Sequence, residues 1–390
     1  MGDEGHPAAA AAHRRQVLEA VQRADAVLSA NSGDRSTSVD ALLDLRRLAF
    51  LPGGFRSNDL RKRVWPVLLG YSSEDIAAFY AAHRIKLQQP PFASTSHRDD
   101  SQVRLDVNRS MGMSRWTDVA SLKRGSKRKA LFSLLHATLC ISPDAHYFQG
   151  FHDVASVFLL TVGMPLAVPL LTRMSTSYMV EPMRTNLDTV LPLFSLLYPL
   201  IATQDPSLAK HIAGSVDHAY FALPWILTWF AHQVDALHDV ARLYDVLLAS
   251  HPIFPLYVAA TLLLKNRATI LAVEPDFADL HSTLQSLGHG IMDDVEGVLE
   301  AANDLFHNIP PRDIVETAAA STAAVRQSTY MSYPLPHQRR LGVADDAATH
   351  GARRLDLMQY GLVCGVVVGV VAVAAAILPS FRRQHHLQSS

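Results

Sequence analysis

The stretch Ser57-Asn58-Asp59-Leu60-Arg61-Lys62-Arg63-Val64-Trp65-Pro66-Val67-Leu68-Leu69-Gly70 reads as a capped helix. Ser57 carries the side-chain oxygen an N-cap needs, and Leu60, Val64, Val67 and Leu68 recur behind it at helical spacing. The signal repeats on both sides. Ala41, Leu42, Leu45, Leu48 and Ala49 form one i, i+3, i+4 stripe. Ala130, Leu131, Leu134, Leu135 and Leu139 form another, which stops before Ser142-Pro143. Further helices are expected over 16–28, 224–233, 239–249, 255–265, 280–287 and 292–306. Strand alternation is scarce and no fixed-period repeat occurs, so the predicted fold is all-α.

Composition sets the outer limits. The chain has 390 residues, 49% of them hydrophobic and 18% charged, against about 25% charged in an average soluble protein. Such a chain has ample material for a core and is not broadly disordered. A net charge of −1 gives no bulk attraction to nucleic acid, so no nucleic-acid partner is expected. Cys140 and Cys364 lie far apart and make neither a disulfide framework nor a cysteine-based zinc site, which suits a reducing compartment.

The termini differ in character. Asp3 and Glu4 stand where a signal peptide would be basic, and His6 stands where myristoylation needs Ser or Thr. Residues 1–37 read as a flexible lead with one short helix. No charge occurs from Leu357 to Ser380, and the 19 residues Tyr360 to Leu378 are almost wholly Val, Ala, Gly, Leu and Ile. At about 1.5 Å per residue they make about 28 Å of helix, enough for a bilayer core. The expectation is a transmembrane tail anchor over 357–379, flanked by Arg353-Arg354 and Arg382-Arg383, with everything before it in the cytosol. Gly361, Gly365 and Gly369 offer a face through which two such spans could pair as a homodimer. A second uncharged run, Val154 to Thr172, is long enough to span, but Gly163, Pro165 and Pro169 interrupt it, which favours buried helices over a polytopic membrane protein. The resulting division is a lead over 1–37, a helical domain over 38–316, a linker over 317–356 rich in Ala, Ser, Thr, Gln and Arg, the span over 357–379, and a tail over 380–390.

No phosphate-binding loop of the GxxxxGK[ST] type occurs, nor HExxH, nor GxSxG, so neither a resident nucleotide nor a cofactor is expected. Nineteen histidines raise the question of a metal, yet the nearest cluster, His146, His152 and Asp153, fits no standard helical ligand spacing, and no metal site is expected.

Three segments stand out: Leu60 to Gly70; Val103-Arg104-Leu105-Asp106-Val107-Asn108-Arg109; and Tyr147-Phe148-Gln149-Gly150-Phe151-His152-Asp153. In order and spacing they resemble the RxxxW, IxxDxxR and YxQG motifs of the TBC (Tre-2/Bub2/Cdc16) domain family of Rab GTPase activators. Arg242-Leu243-Tyr244-Asp245 is similar to a later motif of that family. Val103 stands for the usual Ile, and His152 stands where many members have Asn. The resemblance covers about Arg56 to Ile314. Taken alone, Asp106 and Arg109 share a helix face as an ordinary surface pair would, and Gln149-Gly150 reads as a turn into a helix.

What the resemblance implies is an all-α, two-lobed multi-helix domain that is not itself a GTPase but supplies catalytic residues in trans to a GTP-bound Rab. Arg109 would be an arginine finger and Gln149 a glutamine finger. Asp106 would orient Arg109, while Arg61, Trp65, Tyr147, Gly150 and Asp153 would brace the site. The alternative is a non-catalytic, membrane-anchored tether or adaptor of the same fold. The resemblance also implies a Rab of ER-to-Golgi traffic and an endoplasmic reticulum location. A basic cluster, Lys123, Arg124, Lys127, Arg128 and Lys129, opposes the dipole of the helix it precedes. It reads as a solvated face, or as a contact for anionic lipid or an acidic GTPase surface.

Overall fold

Ser57 has extended backbone (φ −136°, ψ 148°) and its Oγ accepts a hydrogen bond from Leu60 N at 3.3 Å, so the helix behind it starts where the sequence predicts. This computed structural model describes residues 7–29, 35–88, 96–110, 116–119, 124–188, 190–317 and 323–333. Among the described residues there is no strand.

The first group of helices comprises α1 (Pro7–Ser29), α2 (Arg35–Phe50), α3 (Asn58–Leu68), α4 (Ser73–Gln88), α5 (Asp100–Arg109), α6 (Arg124–Ile141), α7 (Phe151–Val162) and α8 (Met164–Thr176). The second comprises α9 (Leu191–Phe194), α10 (Leu197–Gln204), α11 (Pro206–Ala213), α12 (Leu223–Leu227), α13 (Leu237–Leu248), α14 (Phe254–Lys265), α15 (Arg267–Leu271), α16 (Phe277–Leu287), α17 (Val295–Asn308) and α18 (Pro311–Thr317). Two short helices follow, α19 (Ala323–Gln327) and α20 (Thr329–Ser332). Helix α13 packs on α2, α3 and α7, and α14 packs on α10, α12 and α17. Both are buried nearly all round, as helices at the centre of a large core must be.

The long uncharged run from Val154 breaks at Gly163, whose φ of +83° ends α7 and begins α8. Both halves are buried in the core, and no helix among the described residues is long and apolar enough to cross a membrane. The expected span over 357–379, its glycine face, the tail over 380–390 and the linker beyond residue 333 all lie outside the described residues.

Three expectations give way. The short helix expected over 16–28 in a flexible lead is longer, Pro7–Ser29, and packed: α1 buries Val17, Ala20 and Ala24 against α2 and α3 and pairs Arg14 with Asp59 at 2.7 Å. The linker is docked over 323–333: the buried Glu181 carboxylate accepts from Ser328 Oγ at 3.0 Å, Thr329 N at 2.7 Å and Thr329 Oγ1 at 2.6 Å. Burial alone would raise the Glu181 pKa, but its hydrogen bonds from Arg184 and Thr329 outweigh that and hold the carboxyl below the usual range.

The third is the helix expected over 224–233, which stops at Leu227. Trp229 and Phe230 then take φ of +52° and +62°, values that cost a bulky residue about 1–3 kcal/mol each. Both rings are buried, with Trp229 edge-on to Tyr178 and Tyr244 at 5.3 and 5.4 Å. Burying two large aromatic side chains, at ~1.5–3 kcal/mol or more each, overrides continuation of the helix.

Candidate functional site

Helix α3 and helix α13 are joined by one carboxylate. Asp245, fully buried, accepts from Arg61 Nε at 3.0 Å and Arg61 Nη2 at 3.0 Å, from Trp65 Nε1 at 2.9 Å and from Phe55 N at 3.1 Å. Arg61 Nη1 donates to Asn58 Oδ1 at 3.1 Å. One turn earlier on α13, Arg242 grips Glu296 through Nε at 2.8 Å and Nη2 at 2.6 Å and donates to Ala49 O at 2.9 Å. Arg61 and Trp65, predicted to brace the site, are bonded to Asp245 within the core. None of their hydrogen-bond partners is Arg109 or Gln149.

The other two segments meet at the surface. Helix α5 buries Val103, Asp106 and Val107 and leaves Arg109 exposed in its last turn, where a cation suits the helix dipole. The loop before α7 is tied along α5: Arg98 Nη2 donates to Ala145 O at 2.9 Å, and Tyr147 N donates to Asp99 Oδ2 at 2.9 Å. The Tyr147 hydroxyl then donates to Asp106 Oδ2 at 2.9 Å, while Gln102 Nε2 donates to Asp106 Oδ1 at 3.2 Å. Asp106 thus does not pair with Arg109 as the i, i+3 spacing suggests, because its carboxylate points inward to Tyr147. Burial and the Asp106 charge push the Tyr147 phenol far above its ordinary pKa, so it stays a proton donor.

The bond network continues. His152 Nδ1 lies 3.0 Å from the Tyr147 hydroxyl, and Asp153 Oδ2 lies 2.9 Å from His232 Nδ1. Between them, Asp153 Oδ1 is 3.6 Å from His152 Nε2. Gly150 caps α7 with φ of +110°, and a Cβ there would lie 2.9 Å from Thr228 Cγ2, so only glycine fits. Thr228 is itself fixed: its Oγ1 donates to Pro224 O at 2.6 Å and its carbonyl accepts from the Tyr244 hydroxyl at 3.0 Å. The unusual turn after α12 thereby supports the loop that carries Gln149.

Arg109 and Gln149 stand apart from all this bonding. Both are exposed, and neither has a hydrogen bond or ion pair among the described residues. Arg109 lies about one helical turn, ~5 Å, from Asp106, and Gln149 lies two residues, ~7 Å, from Tyr147. The Asp106–Tyr147 bond holds the two segments side by side. The result is two exposed polar side chains, one cationic and one amide, on adjoining segments held together by the hydrogen-bonded Asp106–Tyr147 pair.

Sequence reasoning missed Gln102, Thr228 and the partners of His152 and His232. The i, i+4 spacing of Gln102 to Asp106 was a readable signal; the long-range pairs had none. His146 lies apart from His152, its N donating to Met183 O at 2.7 Å. Among the described residues, no group of three or more His, Cys, Asp or Glu could hold a metal ion.

The Rab-GTPase-TBC domain model matches residues 58–271, from the start of α3 through α15, and so spans all of these segments. The chain belongs to the Rab-GTPase-TBC family. It is 32% identical over 302 residues to "TBC1 domain family member 20" of Homo sapiens, covering 75% of this chain and 70% of the relative. It is 32% identical over 237 residues to "GTPase-activating protein gyp10" of Schizosaccharomyces pombe, covering 60% of this chain and 61% of that protein. The crystal structure of the Ypt/Rab-GAP domain of Gyp1p shares the fold, with a TM-score of 0.55 at 18% identity over 74% of this chain and 98% of that one. The all-α TBC architecture is therefore shown by the family match and by the fold.

Proposed function

We propose that this TBC domain accelerates GTP hydrolysis on a Rab GTPase by inserting Arg109 and Gln149 in trans. The observation that carries this reading is that a cationic and an amide side chain, both exposed and without hydrogen bonds among the described residues, stand on two segments that the Asp106–Tyr147 bond ties together. A small GTPase hydrolyses slowly because charge developing on the γ-phosphate is not neutralised and the attacking water is not held. The Arg109 guanidinium supplies the positive charge, worth ~10³–10⁵ in rate. The Gln149 amide can accept a hydrogen bond from the attacking water through its oxygen and donate through its nitrogen to the phosphate. The nucleotide and its magnesium belong to the GTPase.

A single membrane span over 357–379 tethers the domain on the cytosolic side of the endoplasmic reticulum. Its support is the uncharged length of that segment, which suits a thin bilayer. The Rab served is one of ER-to-Golgi traffic, and Gly361, Gly365 and Gly369 form the face on which two spans pair. The test is GTP hydrolysis by a panel of purified Rabs mixed with the full chain in lipid vesicles. Acceleration on one or two Rabs is expected. If every Rab binds or ignores the chain without faster hydrolysis, the non-catalytic tether takes its place.

A further inference from the structure

Leu105 is a large apolar side chain left 52% exposed on the helix that carries Arg109. Helix α5 buries its opposite side through Val103, Asp106 and Val107, so Leu105 sits at the middle of the outward face. Arg109 lies four residues further on, and side chains at i and i+4 are neighbours about 6 Å apart on one face. Among the described residues, only Leu51, Tyr220 and Phe277 are comparably exposed large hydrophobics, and none of them lies on α5. Leaving a leucine in water contributes nothing to folding.

Two arginines, one on α5 and one reaching its C-terminal end, are held in place. The Arg104 guanidinium is held over the Phe132 ring at 4.1 Å. Arg128 Nε donates to Ser110 O at 3.3 Å, which brings α6 to the residue after Arg109. The one acidic side chain in the middle of the segment, Asp106, is buried and turned inward to Tyr147. An exposed leucine beside Arg104 and Arg109 sets apolar contact area next to positive charge, which complements a partner surface that is apolar with an acidic border.

Resting on the reading that Arg109 enters a GTPase, we propose that Leu105 is a specificity-determining anchor that docks on an apolar side chain beside the nucleotide of that GTPase, within an acidic surround. If Arg109 reaches the phosphates, the side chain one turn behind it on the same face must meet the protein wall next to them. Leu105 is not a catalytic residue, since it touches no reacting atom; it sets which GTPase surfaces the fingers can approach.

The test is single-turnover hydrolysis by the responsive Rab with the full chain, comparing Leu105→Ser, Leu105→Met and Arg109→Ala. Serine is neutral and does not pair with Arg109, and an exposed site leaves thermal unfolding unchanged. Leu105→Ser is expected to raise KM about tenfold with kcat within about twofold, in low salt and in about 0.5 M salt alike, because an apolar contact is not screened. Leu105→Met should restore KM. Arg109→Ala should instead lower kcat. An unchanged KM in Leu105→Ser, or a loss confined to kcat, overturns the proposal while the finger reading stands. If the wild-type chain stimulates no Rab, the finger reading fails and takes this proposal with it.

Discussion

Replacing Arg109 with alanine is expected to slow Rab-stimulated GTP hydrolysis by ~10³-fold or more, with no loss of folded protein. The rate effect follows from the charge: with the guanidinium gone, nothing on this chain neutralises the γ-phosphate in the transition state. The stability side follows from the structure. Arg109 is exposed and has no hydrogen bond or ion pair among the described residues, so its removal should change stability by ~0.5 kcal/mol or less. Arg109→Lys separates charge from geometry. A lysine carries the charge but lacks the planar fork that meets two phosphate oxygens at once, so only part of the rate should return. Rapid-quench measurement of phosphate release, beside a thermal melt of each variant, checks both halves. A variant that unfolds would show instead that Arg109 is structural.

Asp245→Ala should give the opposite pattern, a large loss of stability at a residue that never meets the substrate. Its carboxylate is the common acceptor for Arg61, Trp65 and Phe55, at 0% exposure, and Arg61 is only 4% exposed. Truncating it leaves the Arg61 guanidinium buried without its counter-charge and the Trp65 indole N–H without its acceptor. Breaking a buried pair from one side costs about 3–5 kcal/mol, a large part of the 5–15 kcal/mol that holds a typical domain together. Urea unfolding followed by tryptophan fluorescence would register the shift, since Trp65 sits at the site. A loss below about 1 kcal/mol would mean that Asp245 does not hold α3 to α13.

The contrast between these two residues shows what one sequence reveals. Local signals were legible: the Ser57 cap, the stripes that became α2 and α6, and the break at Gly163 in the long uncharged run. The N-terminal helix is expected over 16–28, but its full length and its packing are hard to see because its buried side is largely alanine, with Val17 as the one large side chain among Val17, Ala20 and Ala24. The docking of residues 323–333 rests on hydroxyls and one backbone N–H meeting Glu181, which leaves no hydrophobic period to read. The turn at Trp229 and Phe230 follows from where two rings fit in the core, a tertiary decision that local propensity does not carry.

At the site the same division holds. The motif resemblance placed Arg109 and Gln149 on the segments where the structure leaves them exposed. Spacing suggested an Asp106–Arg109 pair, but the partner that Asp106 takes is Tyr147, 41 residues away. A single sequence holds no signal for such a pair. Nor does it show that Gly150 is demanded by Thr228, which approaches from 78 positions further along the chain.

The central claim is that the chain brings its own glutamine to the reaction. The most direct test is hydrolysis by a responsive Rab whose own water-orienting glutamine has been changed to alanine. The account predicts that the wild-type chain still accelerates that Rab substantially and that Gln149→Ala abolishes the effect, with the variant still folded. Loss of stimulation on the altered Rab, together with full activity of Gln149→Ala on the unaltered one, would contradict it.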